Sequence, residues 1–244
     1  MESVLNSVLF VVIEFLVNIV QAITGFGGAP IAMPPSMALV GVNDAKAAIT
    51  FLLWFSSMFV TVRSFKDIDF KKLGVMLGFM IVGVVSGMWM FSHLPLTFLM
   101  LAYGIVVVLI GLKKLVMPGT KELPKPWRYV ALVFSGLMQG MFTSGGPFLA
   151  IYSTAEIKDK RTFRATVSTV WSVINIYMII SMYRKEMYTP YCIKLILYSI
   201  VPVVVGIMIG NYLNKKMKQS TFLKLVYVLL IISGSLLIFN FFNK

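Results

Sequence analysis

Three polar side chains lie inside the first apolar segment of the chain: Glu14, Asn18 and Gln21. Their spacings of four and three residues place them on one face of a helix. Glu14 is the carboxylate deepest in an apolar run, and in a membrane such a group faces a cavity or a partner. Glu14 is therefore a candidate for proton coupling. The alternative is a protonated or hydrogen-bonded acid that holds helices together.

Gln21 also begins a motif that occurs twice. The spacing Gln-x5-Gly-Gly occupies residues 21–28 and occurs again at residues 139–146, an offset of 118. At the same offset, Lys46 aligns with Arg164. One glycine pair could arise by chance in any membrane protein, but a glutamine, both glycines and a basic residue in one register indicate an internal repeat.

Each copy of the motif predicts a helix that is broken within its apolar segment. Paired glycines allow either sign of φ and a close approach by another group. Pro30 and Pro147 follow, and proline suits the first turn of a helix because its missing N–H would be unpaired there. We expect two short helices whose N-termini attract an anion. Pro34 and Pro35 should interrupt the first of them. The alternative is tight helix packing through small residues.

The candidate substrate-binding residues come from the two breaks and the polar groups beside them. They are Gln21, Thr24, Gly27, Gly28, Pro30, Gln139, Thr143, Ser144, Gly145, Gly146 and Pro147. Lys46 and Arg164 are the repeat-matched cations that could attract an anion. For each of these two, an anchor at the membrane surface is the interpretation that we favour.

Membrane helices must position these residues. Hydrophobic residues make up 59% of the 244 positions, charged residues 13%, and the mean hydropathy is +0.89. A single soluble core could not bury so much apolar surface, so a lipid bilayer must surround the chain. We predict an all-α polytopic protein in a bacterial inner membrane. Its eight apolar runs lie at about 4–40, 45–62, 74–92, 95–112, 129–155, 163–182, 190–213 and 221–242.

The composition also argues against several functional classes. The 22 Lys and Arg residues outnumber 9 Asp and Glu, but they lie in short loops, where they orient helices rather than bind nucleic acid. With one cysteine, Cys192, and one histidine, His93, a catalytic pair or a metal site lacks partners. No P-loop is present. We therefore expect no enzyme, no cofactor and no metal.

Charge counting predicts how the halves are oriented. If all eight runs crossed the membrane, Lys and Arg would divide 13 to 9 between its faces; if the fifth run returns to its own face, they divide 17 to 5. The positive-inside rule favours the second arrangement. The halves, 1–118 and 119–244, are then inverted repeats, each a re-entrant segment plus three transmembrane helices. Whether the first run crosses or returns stays open.

The pattern GFGGAPIAMP at residues 25–34, with residues 136–147 and the Phe-Arg-Ala-Thr at 163–166, resembles the TauE/SafE family of sulfite and organosulfonate permeases. The resemblance covers essentially the whole chain. It implies duplicated modules of three membrane helices, with the matching glycines, Pro30, Pro34 and Pro147 forming the site. Ala29 stands where a third glycine often follows.

The function hypothesis is a secondary transporter for a small anion, such as sulfite, a sulfonate or a related organic acid. The substrate would be held between the two Gly-Gly breaks, and protons could drive its movement. The alternative is an anion channel, which would share the re-entrant loops. The substrate, the coupling ion, the direction of transport and a homodimeric state are all left open.

Overall fold

The computed structural model describes residues 2–91, 97–117 and 123–242, and His93 lies outside them. In these ranges the chain is helical, with one 3-10 turn at Phe65–Asp67. The α-helices are α1 (Glu2–Thr24), α2 (Gly28–Val40), α3 (Val42–Arg63), α4 (Phe70–Phe91), α5 (Thr97–Val116), α6 (Lys125–Phe142), α7 (Gly146–Glu156), α8 (Lys160–Arg184), α9 (Pro190–Lys216) and α10 (Gln219–Phe242).

The helices match the predicted apolar runs. The first run forms α1 and α2, the fifth forms α6 and α7, and each of the other runs forms one helix. Within the described residues, six helices are long and apolar enough to cross a membrane: α1, α3, α4, α8, α9 and α10. The chain is an all-α polytopic membrane protein, as its composition predicts.

The helices form two compact units. Unit one contains Met1–Ile68 and Arg164–Lys216, and unit two contains Asp69–Phe163 and Met217–Lys244. Each unit therefore combines helices from both predicted halves of the sequence. α1 to α3 share unit one with α9 and most of α8, while α4 to α7 share unit two with α10.

In unit one, α1 and α9 run parallel in close contact. A Cβ atom on Gly206 would lie 2.8 Å from the carbonyl oxygen of Phe15, and one on Gly210 would lie 2.7 Å from that of Ile19. Residue numbers rise together along both helices, which makes them parallel. Small residues let membrane helices approach this closely.

In unit two, α4 and α6 also run parallel. A Cβ atom on Gly136 would lie 2.1 Å from the carbonyl oxygen of Met80, and one on Gly140 would lie 2.4 Å from that of Val84. Glycine is therefore required at both positions. At the predicted offset of 118 residues, α6 would correspond to α1 and α4 would correspond to α9, and both pairs run parallel.

The α1–α2 segment of unit one is a helical hairpin. The Ser7 hydroxyl lies 3.1 Å from the Tyr191 hydroxyl, which places the start of α1 beside the start of α9. Thr189 donates a 2.6 Å hydrogen bond to Asp44, which places the start of α3 there too. Because α1 and α3 begin at the same end of α9, α2 must carry the chain back. α1 and α2 are therefore antiparallel within unit one.

The α6–α7 segment of unit two is also a hairpin. Phe134 and Phe148 pack with their ring centroids 5.7 Å apart, near the turn. At the other end of the hairpin, Arg128 and Glu156 form an ion pair of 2.5 Å. The contacts pair residues late in α6 with residues early in α7, and residues early in α6 with residues late in α7. The two helices are therefore antiparallel, and the return of the fifth run to its own membrane face remains a prediction.

One expectation about α2 is wrong. Pro34 and Pro35 do not interrupt the short helix, which continues from Gly28 to Val40. The prolines remove backbone donors that would meet the carbonyls of Pro30 and Ile31. Flanking helices can hold a membrane helix together across such a loss, and α2 packs against both α1 and α3.

Candidate functional site

The first break lies between α1 and α2. α1 ends at Thr24, and the chain turns through Gly25 with φ of 84° and Gly27 with φ of 90° before α2 begins at Gly28. The left-handed region costs an L-residue about 1–2 kcal/mol, so glycine suits both turning positions. Pro30 lies in the first turn of α2, as predicted.

Gln21 holds this break in shape from the last turn of α1. Its side-chain oxygen accepts a 3.2 Å hydrogen bond from the Gly28 N–H, which caps α2. Its amide nitrogen donates to the Gly25 carbonyl at 3.3 Å and to the Ser57 hydroxyl at 3.2 Å. The structure thus gives this predicted binding residue three partners within the protein, and its direct role is to position the backbone.

The second break, between α6 and α7, is built differently. Its left-handed residue is Thr143, with φ of 56°, whereas Gly145 has φ of −72°. Gly145 is required because a Cβ atom there would lie 2.2 Å from the Ser135 carbonyl oxygen. Gln139 accepts a 3.1 Å hydrogen bond from the Gly145 N–H. Of the two reasons that the sequence suggests for glycine, the left-handed φ applies to Gly27, and close approach applies to Gly145.

The remaining predicted residues of the two breaks are buried, but their hydroxyl groups differ in hydrogen bonding. Thr24 is hydrogen-bonded to the carbonyls of Val20 at 2.8 Å and Phe26 at 2.7 Å. The hydroxyl of Thr143 is buried and has no hydrogen-bond partner in the part of the chain that the structure describes. Ser144, Gly146 and Pro147 are buried in the same turn as Thr143. Of the two threonines, Thr143 is therefore the one whose hydroxyl keeps an unused hydrogen-bonding capacity among the described residues.

Arg164, from α8, lies against the first break. A Cβ atom on Gly25 would lie 3.1 Å from the Arg164 carbonyl oxygen and 3.1 Å from the Ser168 hydroxyl. Arg164 is only 8% exposed. The favoured interpretation of Arg164 as a surface anchor is therefore wrong, because the packing of α8 on the break buries it within the protein.

The guanidinium of Arg164 has a neutral partner. One of its terminal nitrogens donates to the side-chain oxygen of Asn211 on α9, and its Nε has no hydrogen-bond partner within residues 2–91, 97–117 and 123–242. In the part of the chain that the structure describes, no carboxylate pairs with it. A buried charge without a counter-ion is costly. The buried Ser168 hydroxyl is also without a partner. Together these groups suit an anion.

Lys46 lies elsewhere in unit one. It follows Asp44 by two residues, in the early part of α3, and Asp44 is bonded to Thr189 at the start of α9. Arg164, in contrast, contacts Asn211 near the end of α9. The structure therefore separates Lys46 from the first break.

Glu14 and Asn18 contact each other, as their spacing predicts. Asn18 donates to a carboxyl oxygen of Glu14 at 3.3 Å and to the backbone carbonyl of Glu14 at 2.8 Å. Both side chains are fully buried. Among the residues that the structure describes, the second carboxyl oxygen of Glu14 and the amide oxygen of Asn18 have no hydrogen-bond partner. This buried acid lies about two helical turns before Gln21.

Sequence reasoning missed Asn211 and Asn214, near the end of α9. Asn214 donates a 2.7 Å hydrogen bond to the carbonyl of Ile23, in the last turn of α1. The two asparagines are three residues apart, so they share a face of α9. Two amides at the end of an apolar run were a signal, but nothing in the sequence connected them with α1 or α8.

An apolar groove of about 410 Å³ runs along α3. It is lined by Trp54, Phe55, Met58, Phe59, Val62 and Arg63. Because one helix supplies this lining, the groove is a surface feature of α3 that acyl chains of a bilayer would cover, rather than a chamber at the break.

Comparisons with known proteins identify a family for the chain. The profile of the family described as "Sulfite exporter TauE/SafE" matches residues 10–237. The chain is similar to the "Probable inner membrane transporter protein TsaS" of Comamonas testosteroni, with 21% identity over 174 residues, which are 70% of this chain and 73% of that protein. No solved structure matches the chain.

Proposed function

We propose that this chain, which belongs to the TauE/SafE family of membrane transporters, is a secondary transporter that moves a small anion across the inner membrane. The observation that carries the proposal is the buried guanidinium of Arg164, held beside the first break by neutral Asn211. An anion beside Arg164 would supply the missing negative charge. When that anion leaves, the positive charge of Arg164 would again be without a counter-ion and could attract the next substrate molecule.

The substrate that fits these groups is an oxyanion: sulfite, a sulfonate or a related organic acid. Such anions present several acceptor oxygens to the Nε–H of Arg164 and to the Ser168 hydroxyl, which both lack partners. The N-terminus of α2 adds its positive dipole end. Participation of the second break, through Thr143, remains a prediction, and so does the pairing of two chains into a dimer.

Inverted halves remain part of the proposal, and charges within each unit support them. The hairpin of unit one has its turn beside Asn211 and Asn214, next to Lys215 and Lys216 at the end of α9. The hairpin of unit two instead has its open end among basic residues, where Lys72 donates to the Glu156 carbonyl. If basic ends face the cytoplasm, the two hairpins enter from opposite faces.

Glu14 is the proposed site of proton coupling. Its buried carboxyl would be neutral when protonated, and its proton could leave as the anion departs. α1 packs against α2, α3 and α9. The charged residues of those helices lie toward their ends: Asp44, Lys46, Arg63, Lys194, Lys215 and Lys216. The other titratable side chains of α9 are Tyr191, Cys192, Tyr198 and Tyr212.

The proposal is tested in liposomes loaded with sulfite, sulfoacetate, a simple sulfonate or a short carboxylate, with and without a pH gradient. We expect saturable flux of at least one of these anions, accelerated by the gradient. Counter-transport by unlabelled substrate would favour a transporter, whereas flux that is linear in concentration and insensitive to counter-substrate would favour a channel. If none of the anions moves, the proposal fails.

The variant Glu14→Gln separates coupling from transport. It keeps the shape of the side chain but cannot exchange a proton, so we expect flux without dependence on the pH gradient. Full gradient dependence in this variant would remove Glu14 from the mechanism. A useful control is Glu2→Gln, which makes the same change at the start of α1.

A further inference from the structure

We infer that Asn211 is a specificity-determining positioning residue. It holds the Arg164 guanidinium through a neutral oxygen, so that the positive charge stays available to a transported anion. This inference rests on the proposed function, because it explains how the same site keeps its charge. Asn211 touches the arginine, and it acts on the anion through that contact.

The position of Asn211 is fixed by the contact between α9 and α1. A Cβ atom on Gly210, the preceding residue, would lie 2.7 Å from the Ala22 Cβ. Asn214, one turn later, is bonded to the Ile23 carbonyl at 2.7 Å. The contacts of Gly210 and Asn214 with α1 hold the backbone of Asn211 beside the first break. The side-chain oxygen of Asn211 is thereby positioned to accept a hydrogen bond from Arg164 on α8.

The chemistry of the amide matters because aspartate has nearly the same shape. A carboxylate at this position would keep an acceptor oxygen for the guanidinium, but it would also cancel the charge. An ion pair with a buried arginine is a satisfied structural unit that does not need a ligand. With an amide, the guanidinium keeps its orientation and its net charge. The site therefore selects anions over neutral solutes.

This role predicts an unusual order of variants. Asn211→Asp preserves the size of the side chain and its acceptor oxygen, but it should weaken anion binding at least tenfold, because the added carboxylate neutralises Arg164 and repels the anion. Asn211→Ala removes the hydrogen bond and leaves the charge, so it should bind more tightly than Asn211→Asp. A purely structural asparagine predicts the opposite order, with the alanine variant more impaired.

The experiment measures binding of sulfite and of sulfoacetate to the purified full chain in detergent, by titration calorimetry and by the anion-induced rise in Tm. Unfolding without anion serves as the fold check, and Asn211→Asp should be at least as stable as Asn211→Ala. The matched control is Asn43→Asp, which makes the same change at an exposed position of α3 and should bind within twofold of the unaltered chain.

The outcomes separate the two proposals. Binding by the unaltered chain, with Asn211→Asp weakest, supports the inference. If the unaltered chain binds and Asn211→Asp binds as tightly or more tightly than Asn211→Ala, the inference is overturned while the proposed function stands. If the unaltered chain binds neither anion and moves none in liposomes, both are overturned.

Discussion

At the first break the chain turns through two glycines with positive φ, whereas at the second it turns through a threonine and needs its glycine for contact. Gly27 has φ of 90°, and Thr143 has φ of 56°. Gly145 has an ordinary φ of −72° but lies against the Ser135 carbonyl. In both copies of the motif the helix breaks at the same place, and the glutamine accepts a hydrogen bond from a glycine N–H. The backbone dihedral angles of the two turns differ.

The basic residues beside the two hairpins differ as well. At the open end of the second hairpin, Arg128 is paired with the carboxylate of Glu156. At the turn of the first hairpin, the Arg164 guanidinium donates to the amide oxygen of Asn211, and it has no carboxylate partner among the residues that the structure describes. One guanidinium is neutralised and fastens two helices together, and the other is buried with its charge uncompensated. This difference is the reason why Arg164, rather than Arg128, is the proposed partner of the anion.

The largest stability effect that we expect comes from Gly145→Ala. The new methyl group would meet a backbone carbonyl at 2.2 Å, so the hairpin must shift, at a cost of about 3 kcal/mol. Thermal unfolding in detergent measures this loss. Gly74→Ala in α4 is the control, because a Cβ atom there meets nothing within 4 Å. If the two variants unfold at the same temperature, the close contact between Gly145 and the Ser135 carbonyl is not what requires glycine.

A smaller effect on stability is expected when the residues with left-handed φ are exchanged, glycine for alanine at position 27 and threonine for glycine at position 143. Gly27→Ala forces a side chain into the left-handed region and should cost about 1–2 kcal/mol. Thr143→Gly relieves the same strain but loses a buried methyl group and adds freedom to the unfolded chain, so it should change stability by less than about 1 kcal/mol. Thermal unfolding of the two variants in detergent measures these changes. An equal loss of stability in Gly27→Ala and Thr143→Gly would show that the φ angle does not distinguish the two breaks.

The smallest effect concerns the start of α8, the helix that carries Arg164. Hydrogen bonds from the Thr162 backbone, with further bonds from the Thr162 side chain and the Arg161 backbone, lower the pKa of Asp159. A lowered pKa contributes stability above the unfolded-state value of about 3.9, and that stability is lost as the pH falls through the folded-state value.

Asp159→Asn should therefore lower stability by less than about 1 kcal/mol at pH 7, with a difference that shrinks toward pH 3. Unfolding measured across this pH range tests the expectation. A difference that grows on acidification would contradict the assigned role of Asp159 as a cap for α8.

The sequence was sufficient to predict the helices and the two broken segments, because apolar length and the Gly-Gly motif depend on local chemistry. It was not sufficient to predict the burial of Arg164. A basic residue at the start of a membrane helix has the same local pattern whether it faces headgroups or another helix, and here the packing of α8 against Gly25 decides the matter.

Two further features also depended on packing. Pro34 and Pro35 have a local preference for ending a helix, yet α2 continues through them between α1 and α3. Asn211 and Asn214 stand out as amides at the end of an apolar run, but the role of Asn211 becomes visible only where α9 brings it to Arg164. Residues whose roles depend on contacts across the chain were the ones that the sequence did not identify.

The most direct test of the central claim is the affinity of the purified chain for sulfite and sulfoacetate, measured by titration calorimetry before and after Arg164→Gln. Losing one partner of a buried charge contact costs about 2–5 kcal/mol, so we expect affinity to fall at least about 30-fold. Arg161→Gln, which removes an exposed charge from the same helix, should bind within about twofold of the unaltered chain. Equal affinity of Arg164→Gln and the unaltered chain would contradict the proposed site.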